Sequence, residues 1–70
     1  MYRFSVSVGR ATAIVYADSA IGAVLRAINV LKIENAIEVE NGTAWDLHHL
    51  EYRIICKGRR PKKCVVKRML

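Results

Sequence analysis

Hydrophobic and polar residues alternate strictly from Tyr2 to Val8, the period-2 signature of a strand with one buried face. Gly9-Arg10 follows, and glycine at the first central position suits a type II′ hairpin turn. Centring a hairpin there pairs Val8 with Ala11, Val6 with Ala13, Phe4 with Val15 and Tyr2 with Ala17, and every member of that set is apolar. The other face receives Ser7 with Thr12, Ser5 with Ile14, and Arg3 with Tyr16. A slip of one residue would turn the apolar set to the wrong side, so the register is well specified.

The period then changes. Asp18 and Ser19 both offer N-cap oxygens. Beyond them Ala20, Val24, Ala27, Ile28 and Leu31 fall on one helical stripe, widened by Ile21 and Leu25, with Gly22, Arg26 and Asn29 opposite. The small residues Ala20, Ala23 and Ala27 would let this helix lie close to a sheet, and Asn35 is the expected stop. Val15-Tyr-Ala-Asp-Ser-x-x-x-Ala-x-x-Arg-Ala27 resembles the strand-to-helix junction of many small ββαβ proteins, among them phage and mobile-element products and one class of ribosomal protein. It is a packing pattern and implies no site.

Ala36 to Glu40 alternates again, with Ile37 and Val39 inward, and Asn41-Gly42 is a strong turn signal. A hairpin about that turn would set Ile37 against Asp46, so Thr43–His49 is expected to be a loop or irregular edge. Leu50 to Cys56 resumes the alternation of a strand. Lys57–Lys63 contains Gly58 and Pro61 and is expected to be a turn or loop, followed by a short strand at Cys64-Val65-Val66 and a basic tail. The expected architecture is α+β: a single antiparallel sheet, ββα followed by two or three strands, with one helix across one face. Residues 1–70 form one domain whose basic C-terminal segment is 57–70.

Composition agrees with a folded globule. Hydrophobic residues make up 53% of the 70 and charged residues 26%, which excludes a disordered chain. No apolar run approaches the roughly 20 residues of a membrane span, and the first residues lack the basic and continuous apolar regions of a signal peptide. A cytoplasmic protein with no membrane partner is expected. A core this small makes homo-oligomerisation or a bound partner a reasonable expectation.

Charge changes the picture more. Residues 1–17 carry +2, residues 18–51 carry −4, and residues 52–70 carry +8 with no acid. Such asymmetry suits an anionic partner. Lys57, Arg59, Arg60, Lys62 and Lys63, followed by Lys67 and Arg68, are the leading candidates for phosphate contacts, with a solvated turn and tail as the alternative. Arg3 and Tyr16 share the outer face of the first hairpin, where they would either stack a base or form a cross-strand cation–π pair. These nine residues are the expected nucleic-acid-binding set, for RNA or DNA, largely without sequence specificity. The alternative is a protein-interaction or assembly module, homodimeric or with an acidic protein partner.

Other chemistry is weakly represented. His48, His49, Cys56 and Cys64 are the only soft-metal ligands, and their spacing lacks the Cys-x-x-Cys pair of a zinc site. A hairpin centred on Arg60 would set Cys56 opposite Cys64, making a disulfide conceivable, although a cytoplasmic setting favours free thiols. Asp46 beside His48-His49 has no accompanying nucleophile or oxyanion hole, and Ser5, Ser7 and Ser19 sit in no nucleophile elbow. No catalytic residue, metal or cofactor is therefore expected. Trp45 is expected to cover the sheet or the helix end, or, on an irregular segment, to anchor a partner.

Overall fold

The computed structural model describes residues 1–46 and 48–69, with the backbone alone described at position 46. Its elements are β1 (Tyr2–Val8), β2 (Ala11–Ala17), α1 (Ala20–Val30), β3 (Ala36–Asp46), β4 (His49–Cys56) and β5 (Lys62–Met69). They form one antiparallel five-stranded sheet, ordered β2-β1-β5-β4-β3, with the helix across one face. This is the expected α+β layer pair.

The first hairpin has the expected register, Val8↔Ala11 through Tyr2↔Ala17. Gly9 has a φ of 62° and Arg10 stays at negative φ, the sign pattern of a type II′ turn. Ser7 and Thr12 share a 3.0 Å hydrogen bond between their hydroxyls on the outer face. Phe4, Val6, Ala13, Val15 and Ala17 face the helix and are buried.

Ser19 is the N-cap: its hydroxyl accepts from the Gly22 N–H at 3.2 Å. The buried side of the helix is Ala23, Val24 and Ala27, three small or branched residues that bring its axis close to the sheet. Ile21 and Leu25, expected to widen the buried stripe, are instead exposed. The reason is the width of the sheet. A helix about 10 Å across covers two to three strands spaced about 4.8 Å apart, and α1 lies over β2, with lesser contact to β1 and β5. Ile21 and Leu25 point past that cover, toward β3.

Three expectations about the second half need correction. Asn41-Gly42 is not a turn: β3 runs through it to Asp46, and Asn41 pairs with Tyr52. The register shifts between Ala36 and Glu38, between Asn41 and Ala44, and between Ala44 and Asp46. Of the loop or irregular edge expected over Thr43–His49, the structure has an irregular edge, a bulged edge strand up to Asp46 with His49 opening β4. Position 47, inside that expected span, lies outside the described residues. Gly42 is needed there for closeness: a Cβ on it would stand 2.8 Å from the Glu51 carbonyl oxygen.

The short strand expected at Cys64-Val65-Val66 is present but longer, running from Lys62 through the expected basic tail to Met69. β5 pairs with β1 from Val8↔Cys64 to Arg3↔Met69 and with β4 from Ile54↔Lys62 to His49↔Lys67. It is the centre of the sheet, with Cys64 and Val66 in the core. The helix stops earlier than Asn35, with Leu31 as C-cap. Trp45 does not cover the core: it is 60% exposed, its ring stacked on that of His49 at 5.7 Å. No helix among the described residues is long and apolar enough to cross a membrane.

Candidate nucleic-acid interface

Three connections meet at one end of the sheet. Val8 pairs with both Ala11 and Cys64, which sets the β1–β2 turn beside the turn entering β5. The helix starts at the opposite end, after Ala17, and so returns its C-terminus to this one. The Lys57 N–H donates to the Asn35 carbonyl at 2.8 Å, joining the β4–β5 turn to the connection after the helix.

Each connection carries cations outward. In the β4–β5 turn, Gly58 takes a φ of 75° and the Arg59 N–H reaches the Cys56 carbonyl at 3.4 Å. The helix ends in a Schellman motif: Lys32 N–H donates to the Asn29 carbonyl at 3.2 Å, and Ile33 N–H to the Ile28 carbonyl at 3.0 Å. Lys32 occupies the left-handed position of that motif, φ 54°, where glycine is usual. Arg10, Lys32, Lys57, Arg59, Arg60 and Lys62 are all exposed here, and none makes an ion pair among the described residues. Between the connections lies a groove of about 310 Å³, lined on its charged side by Lys32, Arg59, Lys62 and Glu34.

The residues picked out from sequence divide into two groups. Lys57, Arg59, Arg60, Lys62 and Lys63 gather at this end. Lys63 already has a partner, its Nζ 3.5 Å from Glu51 Oε2 on the face away from the helix. Lys67 and Arg68 lie further along β5, and strand alternation sends them to opposite faces. Lys67 stands among Ser5 and His49 on the open face. Arg68 is on the helix side, its guanidinium 3.8 Å from the centre of the Tyr2 ring. Arg3 and Tyr16 are cross-strand partners on the open face, near the other end of the sheet. Sequence reasoning missed Arg10 and Lys32. The signal for both was topological: a helix following a hairpin runs back to the hairpin's turn.

Protein families, curated proteins and solved structures give no match to this chain.

The remaining candidate groups serve elsewhere. Cys56 and Cys64 are free and buried. The hairpin is not centred on Arg60, so Cys64 lies opposite Tyr52 rather than Cys56, and the conceivable disulfide is excluded by register. Burial pushes the Cys64 thiol up to about 11, leaving it protonated and poorly nucleophilic at neutral pH. Burial, and then the neighbouring Cys64, also raise the Tyr52 hydroxyl. Among the described residues no three His, Cys, Asp or Glu side chains converge. The Asp46 side chain, considered beside His48-His49, lies outside the description.

Proposed function

We propose that this protein binds nucleic acid through its phosphates, largely without reading sequence, using the basic end of the sheet. The observation that carries the reading is the gathering of Arg10, Lys32, Lys57, Arg59, Arg60 and Lys62 from three separate connections onto one end, with no ion pair among the described residues to neutralise them. Unpaired, exposed guanidinium and ammonium groups neutralise phosphates and release condensed counterions. Lys67 and Arg3 extend the positive surface along the open face.

A salt titration tests it. Neutralising about five phosphates gives a log–log slope near −4.5 on duplex DNA and near −3.5 on single strands. Replacing Arg59, Arg60 and Lys62 by Ser is expected to flatten the slope and weaken all sequences alike, while the exposed positions leave the fold intact. Failure to bind any nucleic acid below about 0.1 mM at low salt overturns the proposal.

A second reading, an assembly module, is favoured by the apolar patch between α1 and β3, where Ile21, Leu25 and Ile37 are exposed. Concentration-dependent sedimentation, with no nucleic-acid binding, would favour it over the first.

A further inference from the structure

The groove at the basic end has a composition that phosphate contact alone does not require. Its floor is Val8, Ala11, Leu31 and Ile33, and the cations Lys32, Arg59 and Lys62 stand at its rim with Glu34. A volume of about 310 Å³ falls at the lower end of the range of pockets that hold small ligands, about 300 Å³ upward. Its chemistry matches a flat apolar group that carries an anionic substituent.

Lys32 adds a separate observation. It is held at φ 54°, a conformation that costs an L-residue energy and that glycine adopts freely. The Schellman motif fixes that backbone, so a lysine in place of the usual glycine puts a cation in the lining of the groove at a conformational cost.

We infer that this groove receives one base of a single-stranded nucleic acid, seating it on the apolar floor while Lys32, Arg59 and Lys62 hold the adjoining phosphates. The inference rests on the nucleic-acid reading above and adds to it a preference for unpaired strands. In a duplex the bases are stacked and paired, whereas a single strand can splay one out. Arg59 is suited to lie against a base face, since its guanidinium is planar and weakly hydrated. Glu34 can accept from a ring N–H or an exocyclic amino group of the base.

The experiment compares ligands of equal charge on the unaltered protein. Fluorescence anisotropy is measured with a strand of about ten thymidines, within the roughly 4–16 nucleotides such surfaces span, with the same strand made abasic, and with a duplex of equal phosphate count. The base-bearing strand is expected to bind about fivefold more tightly than the abasic one, the gain from taking roughly 40 Å² of apolar surface out of water at about 25 cal/mol per Å², with equal salt slopes. Ala11→Phe fills the floor without changing charge and is expected to abolish that difference. Ala11→Leu serves the same purpose if the larger ring lowers the melting temperature. Equal affinity for the base-bearing and abasic strands overturns the inference while leaving phosphate binding at the basic end intact. So does a difference that survives both substitutions. Absence of binding to all three ligands overturns both.

Discussion

Replacing Lys32 by Gly should move stability and nucleic-acid binding in opposite directions. Lys32 is the left-handed residue of the Schellman motif, and its amide bond to Asn29 and the neighbouring Ile33–Ile28 bond do not depend on its side chain. The left-handed conformation costs an L-residue about 1–2 kcal/mol. Glycine removes that cost but loses about 0.5–1 kcal/mol of additional chain entropy on folding. The net expectation is a gain of about 0.5–1 kcal/mol, which raises the melting temperature of a domain this size by about 2–8 °C. The same change deletes one rim cation, so the salt slope should fall in magnitude by about 0.7–0.9. Lys32→Ala separates the two effects: it should lose the same slope without the thermal gain, because alanine keeps the strain. Circular-dichroism melts and anisotropy titrations of the three proteins provide the measurements. A Lys32→Gly protein that melts below the parent would show that the ammonium stabilises the helix C-terminus by more than the strain costs, and would refute the reasoning.

Phe4 is buried between sheet and helix, and Phe4→Ala should cost about 3–5 kcal/mol in a urea melt, enough to unfold most of the population; an unchanged midpoint would contradict the packing. Gly42→Ala brings a Cβ within 2.8 Å of the Glu51 carbonyl oxygen and should cost about 1–3 kcal/mol through the forced shift of β3 against β4, an expectation that an unaltered melt would sink. The Cys64 thiol ionises near its ordinary 9.0 when unfolded but only at about 11 in the fold. Between those values the unfolded chain binds fewer protons, so stability should be complete below about pH 9 and fall by at most about 2–3 kcal/mol as pH rises to 11. Cys64→Ala should remove most of that fall.

The hairpin of β1 and β2 was legible because its alternation is unbroken and a single glycine turn fixes the register. The start of the helix was legible too, although sequence left its N-cap open between Asp18 and Ser19, and the structure gives Ser19. β3 was legible only from Ala36 to Glu40, and even there the bulge between Ala36 and Glu38 leaves Ile37, expected inward, exposed. Beyond it the register shifts break the alternation, and Asn-Gly signals a tight turn and a close backbone approach alike. β5 was obscured by its lysines. Strand alternation places Lys63 and Lys67 on an open face and leaves only Cys64 and Val66 in the covered middle of the other, so only Cys64–Val66 reads as strand and the rest of a central strand as a charged flank. The candidate site was half visible for the same reason. Charge counting along the chain gathers Lys57 to Arg68 into one run, whereas pleating disperses Lys67 and Arg68 and topology supplies Arg10 and Lys32 instead.

The placement of β5 between β1 and β4 sets the order in which the fold can assemble. Two hairpins, β1–β2 and β3–β4, close locally, yet neither pairs with the other except through a strand that follows both in sequence. Isolated two-stranded ribbons are marginal in water. Helix α1 can cover the apolar face of β1–β2 as soon as it forms, whereas β3–β4 has no such cover and keeps its apolar face and inner edge open until residues 62–69 emerge to join it. Partners such as Phe4 and Arg68 then meet across nearly the whole described chain, a high-contact-order closure that folds slowly. The cations of β5 repel one another during that wait, which protects the last strand from joining the wrong chain.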